Sequence, residues 1–195
     1  MSSNYLVNIR SIAEAREVCY LFHFTQIANL SGIMKHGLLS RQKLTELEYL
    51  AYTSDKYRLD DNVDAISVSV SRVNKKMFAS KRDKNGHNDW VILVLSSKIL
   101  WTHKCRFCWC NAAKKEIKNH RGFRDGPWAF NKMFTGSNRS GLEKCEPTDQ
   151  EAEVQVLESI ASKYILGAIV SRPEMVESVK VVLNGLEVLY DSDWF

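Results

Sequence analysis

A chain of 195 residues, 45% hydrophobic, with nine glycines and three prolines, suffices for one domain with a proper core and excludes low complexity. No apolar run reaches membrane length and the opening MSSNYLVNIR lacks the apolar stretch of a signal peptide, so a soluble, cytoplasmic protein is expected. A net charge of +4 and a pI near 8.7 permit phosphate ligands without the extreme basicity of a protein that coats nucleic acid.

Ser11 and Glu14 read as a capping box for a short helix ending near Glu17. Tyr20 to Phe24 is apolar and aromatic except for His23, which reads as a short strand. Thr25 stands where an N-cap would, Ile27, Leu30, Ile33 and Met34 recur at helical spacing, and Gly37 ends the helix. An imidazole beside the N–H groups of a helix start suits an anionic or nucleotide ligand; the alternative is a core histidine with one satisfied hydrogen bond.

From Leu38 to Asn62 a loop region is expected, with a helix over Thr45 to Ala51 and with Arg41, Lys43, Lys56 and Arg58 along it, long enough to fold over a ligand. Ala65 to Ser71 alternates Ile66, Val68 and Val70 with Ser67, Ser69 and Ser71, the period of a half-buried strand with one small, open face. Six cations follow between Arg72 and Lys84, around Met77 and Phe78, a pattern that either solvates a face or meets phosphates and stacks on bases.

Trp90 to Leu95 is a continuous apolar run and reads as a central strand. Cys105, Cys108 and Cys110 lie beside His103, but four ligands within eight residues would wrap too tightly around zinc, so reduced thiols and no metal are expected. Asn111 to His120 predicts a basic surface helix, and Arg121 to Trp128 and Thr135 to Asp149 predict loops. Glu151 to Leu157 alternates again, with Glu151, Glu153 and Gln155 on one face. Tyr164 to Val170 and Leu186 to Tyr190 are strands about a helix from Glu174 to Leu183, stopped at Gly185. Without a regular βαβ alternation, the class is α+β.

The segment His23, Thr25, Asn29, Leu30, Ile33, Gly37 and Leu38 resembles H-x-T-x-x-x-N-L-x-x-I-x-x-x-G-L at the start of the DarT family, NAD-dependent ADP-ribosyltransferases of toxin–antitoxin systems that modify bases in single-stranded DNA. The segment around Met77, the short Asn111 to Ala113 and Glu151-Ala152-Glu153-Val154, similar to a Q-A-E-hydrophobic strand, extend the resemblance. It departs from the family at Glu151, where glutamine is usual, and at Gln26, where many members have histidine.

The resemblance implies one ADP-ribosyltransferase domain over residues 1–195, built on a central split β-sheet or sandwich with flanking helices. It implies NAD as co-substrate, held by His23, Thr25, Asn29, Leu30, Gly37 and Met77, with Glu153 as the catalytic acid. Arg58 matches the family's functional arginine, with Lys56 and Arg41 as alternatives. DNA would meet Lys75, Lys76, Lys81 and Arg82, and Asn138, Arg139 and Lys144 in the loop that precedes the acid. A monomer opposed by a macrodomain antitoxin is implied. The acceptor base stays open between thymine and guanine, with a slight leaning to guanine from the NKKMF and CNAA segments. A protein-directed ADP-ribosyltransferase and a non-catalytic module for single-stranded nucleic acid are the alternatives.

Overall fold

The computed structural model describes residues 3–51, 64–84 and 89–195. Seven strands form one sheet: β1 (Tyr20–Gln26), β2 (Ile66–Val70), β3 (Trp90–Ser96), β4 (Cys105–Cys108), β5 (Glu153–Val156), β6 (Ile165–Val170) and β7 (Glu187–Tyr190). Their order across the sheet is β4, β5, β2, β1, β3, β6, β7. All neighbours are antiparallel except β6 and β7, which run parallel because a helix carries the chain back between them. The expected α+β split sheet is therefore present.

The apolar run of β3 has its physical cause in its position, paired with β1 on one side and β6 on the other. Eight helices flank the sheet: α1 (Ser3–Ala15), α2 (Leu30–His36), α3 (Arg41–Glu46), α4 (Lys75–Lys84), α5 (Ile99–Thr102), α6 (Lys115–Lys118), α7 (Pro127–Lys132) and α8 (Val176–Val182). Ile9 and Ala13, one turn apart, place one stripe of α1 in the main core, where it meets α5 and α7. A second apolar cluster, Phe22, Val73, Phe78, Trp90, Ile92 and Ile169, lies apart from it.

Several sequence-based expectations need correction. Helix α1 begins well before Ser11, so Ser11 and Glu14 lie inside it and form no N-terminal box. Thr25 is not an N-cap: β1 continues through Gln26, because Thr25 and Gln26 still pair with Val91 and Trp90, and a 3-10 turn Ile27–Asn29 precedes α2. The helix expected at Thr45 to Ala51 lies earlier, as α3, where Ser40 accepts a hydrogen bond from the Lys43 N–H and starts it. The cysteine segment contains a strand, β4, and the basic helix beyond it shrinks to the four residues of α6.

Gly37 does end α2. Its φ of 81° is strained for any residue with a Cβ, and a Cβ there would stand 2.5 Å from the Ile160 carbonyl oxygen. That closeness lets Leu38 bridge to Ile160 and turns the chain across the mouth of the sheet.

Candidate active site

Strand β2 serves two partners in succession. Ile66 to Val68 pair with Val156 to Val154 of β5, whereas only Ser69 and Val70 pair with β1, opposite Phe22 and Leu21. Beyond Phe22 the two strands part, and the His23 ring crosses the gap: Nδ1 donates to the Ser67 carbonyl at 2.9 Å. A carbonyl can only accept, so Nδ1 carries the proton of this bond.

A cleft of about 670 Å³ opens at this parting, within the usual range for a small-molecule site. His23, Thr25, Asn29, Gly37, Lys76, Met77, Lys81 and Glu153 all line it, joined by Ser67 and Ser69 from the small face of β2. Asn29 Nδ2 donates to Thr25 Oγ1 at 3.0 Å, tying the turn to the strand.

Three expected contacts lie elsewhere. Leu30 is fully buried in the main core, so it supports α2 and does not line the cleft. Lys75 donates to the backbone carbonyl of Asp193, and the Arg82 guanidinium lies 5.5 Å from the centre of the Phe78 ring, stacked on its own helix. Arg58 and Lys56 fall outside the described residues.

Glu153 opens β5 and lies one rung beyond the Val68–Val154 pair, with Cys108 opposite it on β4. Only 8% of it is exposed, and Oε1 accepts the Ala112 N–H at 3.2 Å. β5 lies between β4 and β2, so this acid does not solvate an edge strand. Glu151 precedes the strand and meets Lys114 Nζ at 2.8 Å, while Asp149 meets the same ammonium at 3.1 Å. Those hydrogen bonds, Glu151 first, raise the Lys114 pKa. Both glutamates line the cleft, but Glu153 stands on a buried strand while Glu151 is tied to Lys114 in the loop before it.

Positive charge also gathers along the cleft. Ser71, at a strained φ of 59°, turns the chain out of β2, and Asn74 Oδ1 then accepts the Met77 N–H at 3.0 Å to start α4. Lys81 and Lys84 of α4 and Arg41 of α3 all line the cleft. The Lys81 pKa is lowered, first by burial and then by the neighbouring charges of Lys84 and Arg41. Three cations pressed together in this way suit a ligand with more than one negative charge. Sequence reasoning named Arg41 only as an alternative and gave Asn74 no role; the asparagine directly before a basic, Met-containing helical run was the available signal.

The loop before the acid is held by its own side chains. Arg139 donates to the carbonyls of Glu143 and Glu146 and to Thr148 Oγ1, at 2.9 to 3.0 Å, and Lys144 pairs with Glu17 at 2.7 Å. Asn138 is exposed. In β4 the thiols of Cys105 and Cys108 are pushed up to about 12, burial being the main cause, and Cys110 to about 11 for the same reason. Among the described residues no group of three His, Cys, Asp or Glu side chains could hold a metal ion. No helix among them is long and apolar enough to cross a membrane.

Residues 22–195 match the profile of a family described as "DarT: ssDNA thymidine ADP-ribosyltransferase, DarT". No curated protein sequence matches the chain. Among solved structures, DarT of Thermus sp. 2.9 in complex with NAD+ superposes with a TM-score of 0.63 at 14% identity, covering 92% of this chain and 98% of that one. The same protein in complex with ADP-ribosylated ssDNA gives 0.61 at 16% identity, over 92% and 97% of the two chains. Thermosipho africanus DarTG in complex with ADP-ribose gives 0.59 at 15% identity over 91% of this chain, which spans only 51% of that protein's length.

Proposed function

The chain belongs to the DarT family of ssDNA thymidine ADP-ribosyltransferases, and from that premise we propose that the cleft at the split of its sheet takes NAD and that Glu153 carries the transfer. The observation that supports this most is the presence of a buried carboxylate in the same cleft as Arg41, Lys81 and Lys84. NAD needs both: cations for its diphosphate and a fixed negative charge where positive charge develops.

The family description names thymidine, which corrects the slight leaning to guanine drawn from the segments at 74–78 and 110–113. In thymidine N1 carries the sugar, so N3 is the base nitrogen that can accept. Its lone pair forms the bond to the ribose anomeric carbon as the bond to nicotinamide breaks, and nicotinamide leaves with that electron pair. The N3 proton passes to Glu153 or to solvent. Before transfer the same carboxylate accepts a ribose hydroxyl and stabilises the oxocarbenium-like state. N3 lies on the pairing edge of thymine, so a base in duplex presents no free acceptor, which accounts for a single-stranded substrate.

His23, with Nδ1 committed to Ser67, faces the nicotinamide riboside in the cleft, and Thr25, Asn29 and Met77 border it. Arg58, the arginine matched to the family's functional one, stays a candidate for the diphosphate in addition to Arg41, Lys81 and Lys84. The reaction moves a pentosyl group, which makes the enzyme a pentosyltransferase. A macrodomain protein that removes the modification is the antitoxin we expect, in keeping with the matched DarTG.

Mass spectrometry of thymidine-containing and thymidine-free oligonucleotides incubated with NAD tests the reading. One ADP-ribose should appear only where thymidine is present and should vanish with Glu153→Ala; transfer to polypeptide alone would replace it by the protein-directed alternative.

A further inference from the structure

Beyond β4 lies a surface that the cleft does not use. Trp128, in the first turn of α7, is 58% exposed, and Phe123, on the loop that enters that helix, is 87% exposed. A single exposed ring needs no explanation, but Trp128 is held in place rather than left loose. Its ring stacks on His120 with centroids 5.8 Å apart and an interplanar angle of 10°, and meets Trp109 edge-on at 5.7 Å. Lys132, one turn further along α7, sets its ammonium 4.2 Å from the Trp109 ring centre and 5.2 Å from that of Trp128.

The surroundings are cationic. Lys115, Lys118 and Arg121 are exposed on the same stretch, while the nearby Glu116 carboxylate is engaged by the Trp109 ring N–H. The loop is also fastened beside the acid: the Phe107 N–H donates to the Arg124 carbonyl at 2.6 Å, and the Arg124 guanidinium donates to Cys108 Sγ at 3.3 Å. Cys108 is the residue opposite Glu153. Fixed aromatic faces among cations are what single-stranded nucleic acid needs, since every base has a π-face and every nucleotide a charge.

We propose that Phe123 and Trp128 form a stacking platform for the nucleotides flanking the modified base, with Lys115 and Arg121 taking their phosphates. This rests on the single-stranded DNA reading of the cleft. It assigns the grip on the strand to the rim beyond β4 rather than to Arg139 and Lys144, whose side chains are tied within the protein.

The test compares binding of oligothymidylates four and twenty nucleotides long, by fluorescence anisotropy, for the wild type, the double variant Phe123→Ala/Trp128→Ala and the ring-retaining Phe123→Tyr/Trp128→Phe. The alanine variant should bind the longer strand about tenfold or more weakly, with binding of the short one and the KM for NAD unchanged. The ring-retaining variant should behave as the wild type. Equal loss for both lengths, no loss for either, or failure of the ring-retaining variant to rescue overturns the platform, as does a wild type that binds neither strand. If the wild type binds the long strand but transfers no ADP-ribose, the enzyme reading fails while the binding comparison still decides this one.

Discussion

His23 and Ser67 are joined where their strands have already separated: the imidazole Nδ1–H reaches the Ser67 carbonyl at 2.9 Å, across a gap that the backbone ladder of β1 and β2 leaves open. The ring acts as a strut in the wall of the cleft, where we propose that it also meets the ligand. His23→Asn separates these roles, because an asparagine Nδ2 can take the place of Nδ1 but nothing replaces Nε2. We expect His23→Ala to lose about 1–2 kcal/mol of stability and at least tenfold in kcat/KM. In His23→Asn the stability should return while the activity does not; urea denaturation beside steady-state kinetics reads both.

Glu153→Gln should be a clean chemical lesion. The amide oxygen can still accept the Ala112 N–H, so the fold and the melting temperature should stay near the wild type. Loss of the negative charge should lower kcat about 10²- to 10³-fold with little change in NAD affinity. A kcat within threefold of the wild type would remove Glu153 from the mechanism.

Gly37→Ala tests the turn. The added methyl would meet the Ile160 carbonyl oxygen at 2.5 Å and the φ of 81° disfavours any Cβ. A loss of about 1–3 kcal/mol in chemical denaturation is expected. Gly141, at a similar φ of 80° with no heavy atom near its missing Cβ, is the control and should cost less.

Lys81 gives a pH signature. Burial and then the charges of Lys84 and Arg41 lower its pKa, so near its titration the free protein has lost part of this charge. A bound diphosphate favours the charged form and raises the pKa again. NAD binding should therefore take up protons at alkaline pH and weaken as pH rises through that range. Lys81→Gln should flatten this dependence and weaken NAD about tenfold; isothermal titration in two buffers of different ionisation heat measures the proton uptake.

The thiols should divide by position. Cys19 is exposed and should react promptly with a disulfide reagent at pH 8. Cys105 and Cys108, with thiols pushed up to about 12 and sealed from solvent, should react only on unfolding. The same shift has a cost in alkali: the unfolded chain ionises these thiols from about pH 9 and the folded one does not, so stability should fall above that pH, and less steeply in Cys108→Ala.

Much of this was legible in the residues. The alternation of Ile66 to Val70, the apolar run of β3 and the stop at Gly37 are local patterns, and each became the element expected. Alternation alone put Glu151 and Glu153 on one face, and only the resemblance singled out Glu153; the Lys114 that holds Glu151, nearly forty residues away, is something no local pattern reveals. Thr25 was misplaced because capping chemistry is local, whereas the pairing that extends β1 belongs to β3. Arg139 and Lys144 looked like free cations because their partners are backbone carbonyls and a distant glutamate. The Trp128 platform needed three segments brought to one edge, a fact of topology alone.

The parting of β1 from β2 has one further meaning. Continued in register, His23 would face Val68 and Phe24 would face Ser67, and the sheet would zip shut. The cleft exists because those rungs are not made, so this protein keeps a stretch of unspent sheet pairing at its centre. Whatever fills the cleft lies between the two strands, and occupancy should bind the two halves of the sheet into one stiffer body. The room for a ligand here is the same thing as an interrupted ladder.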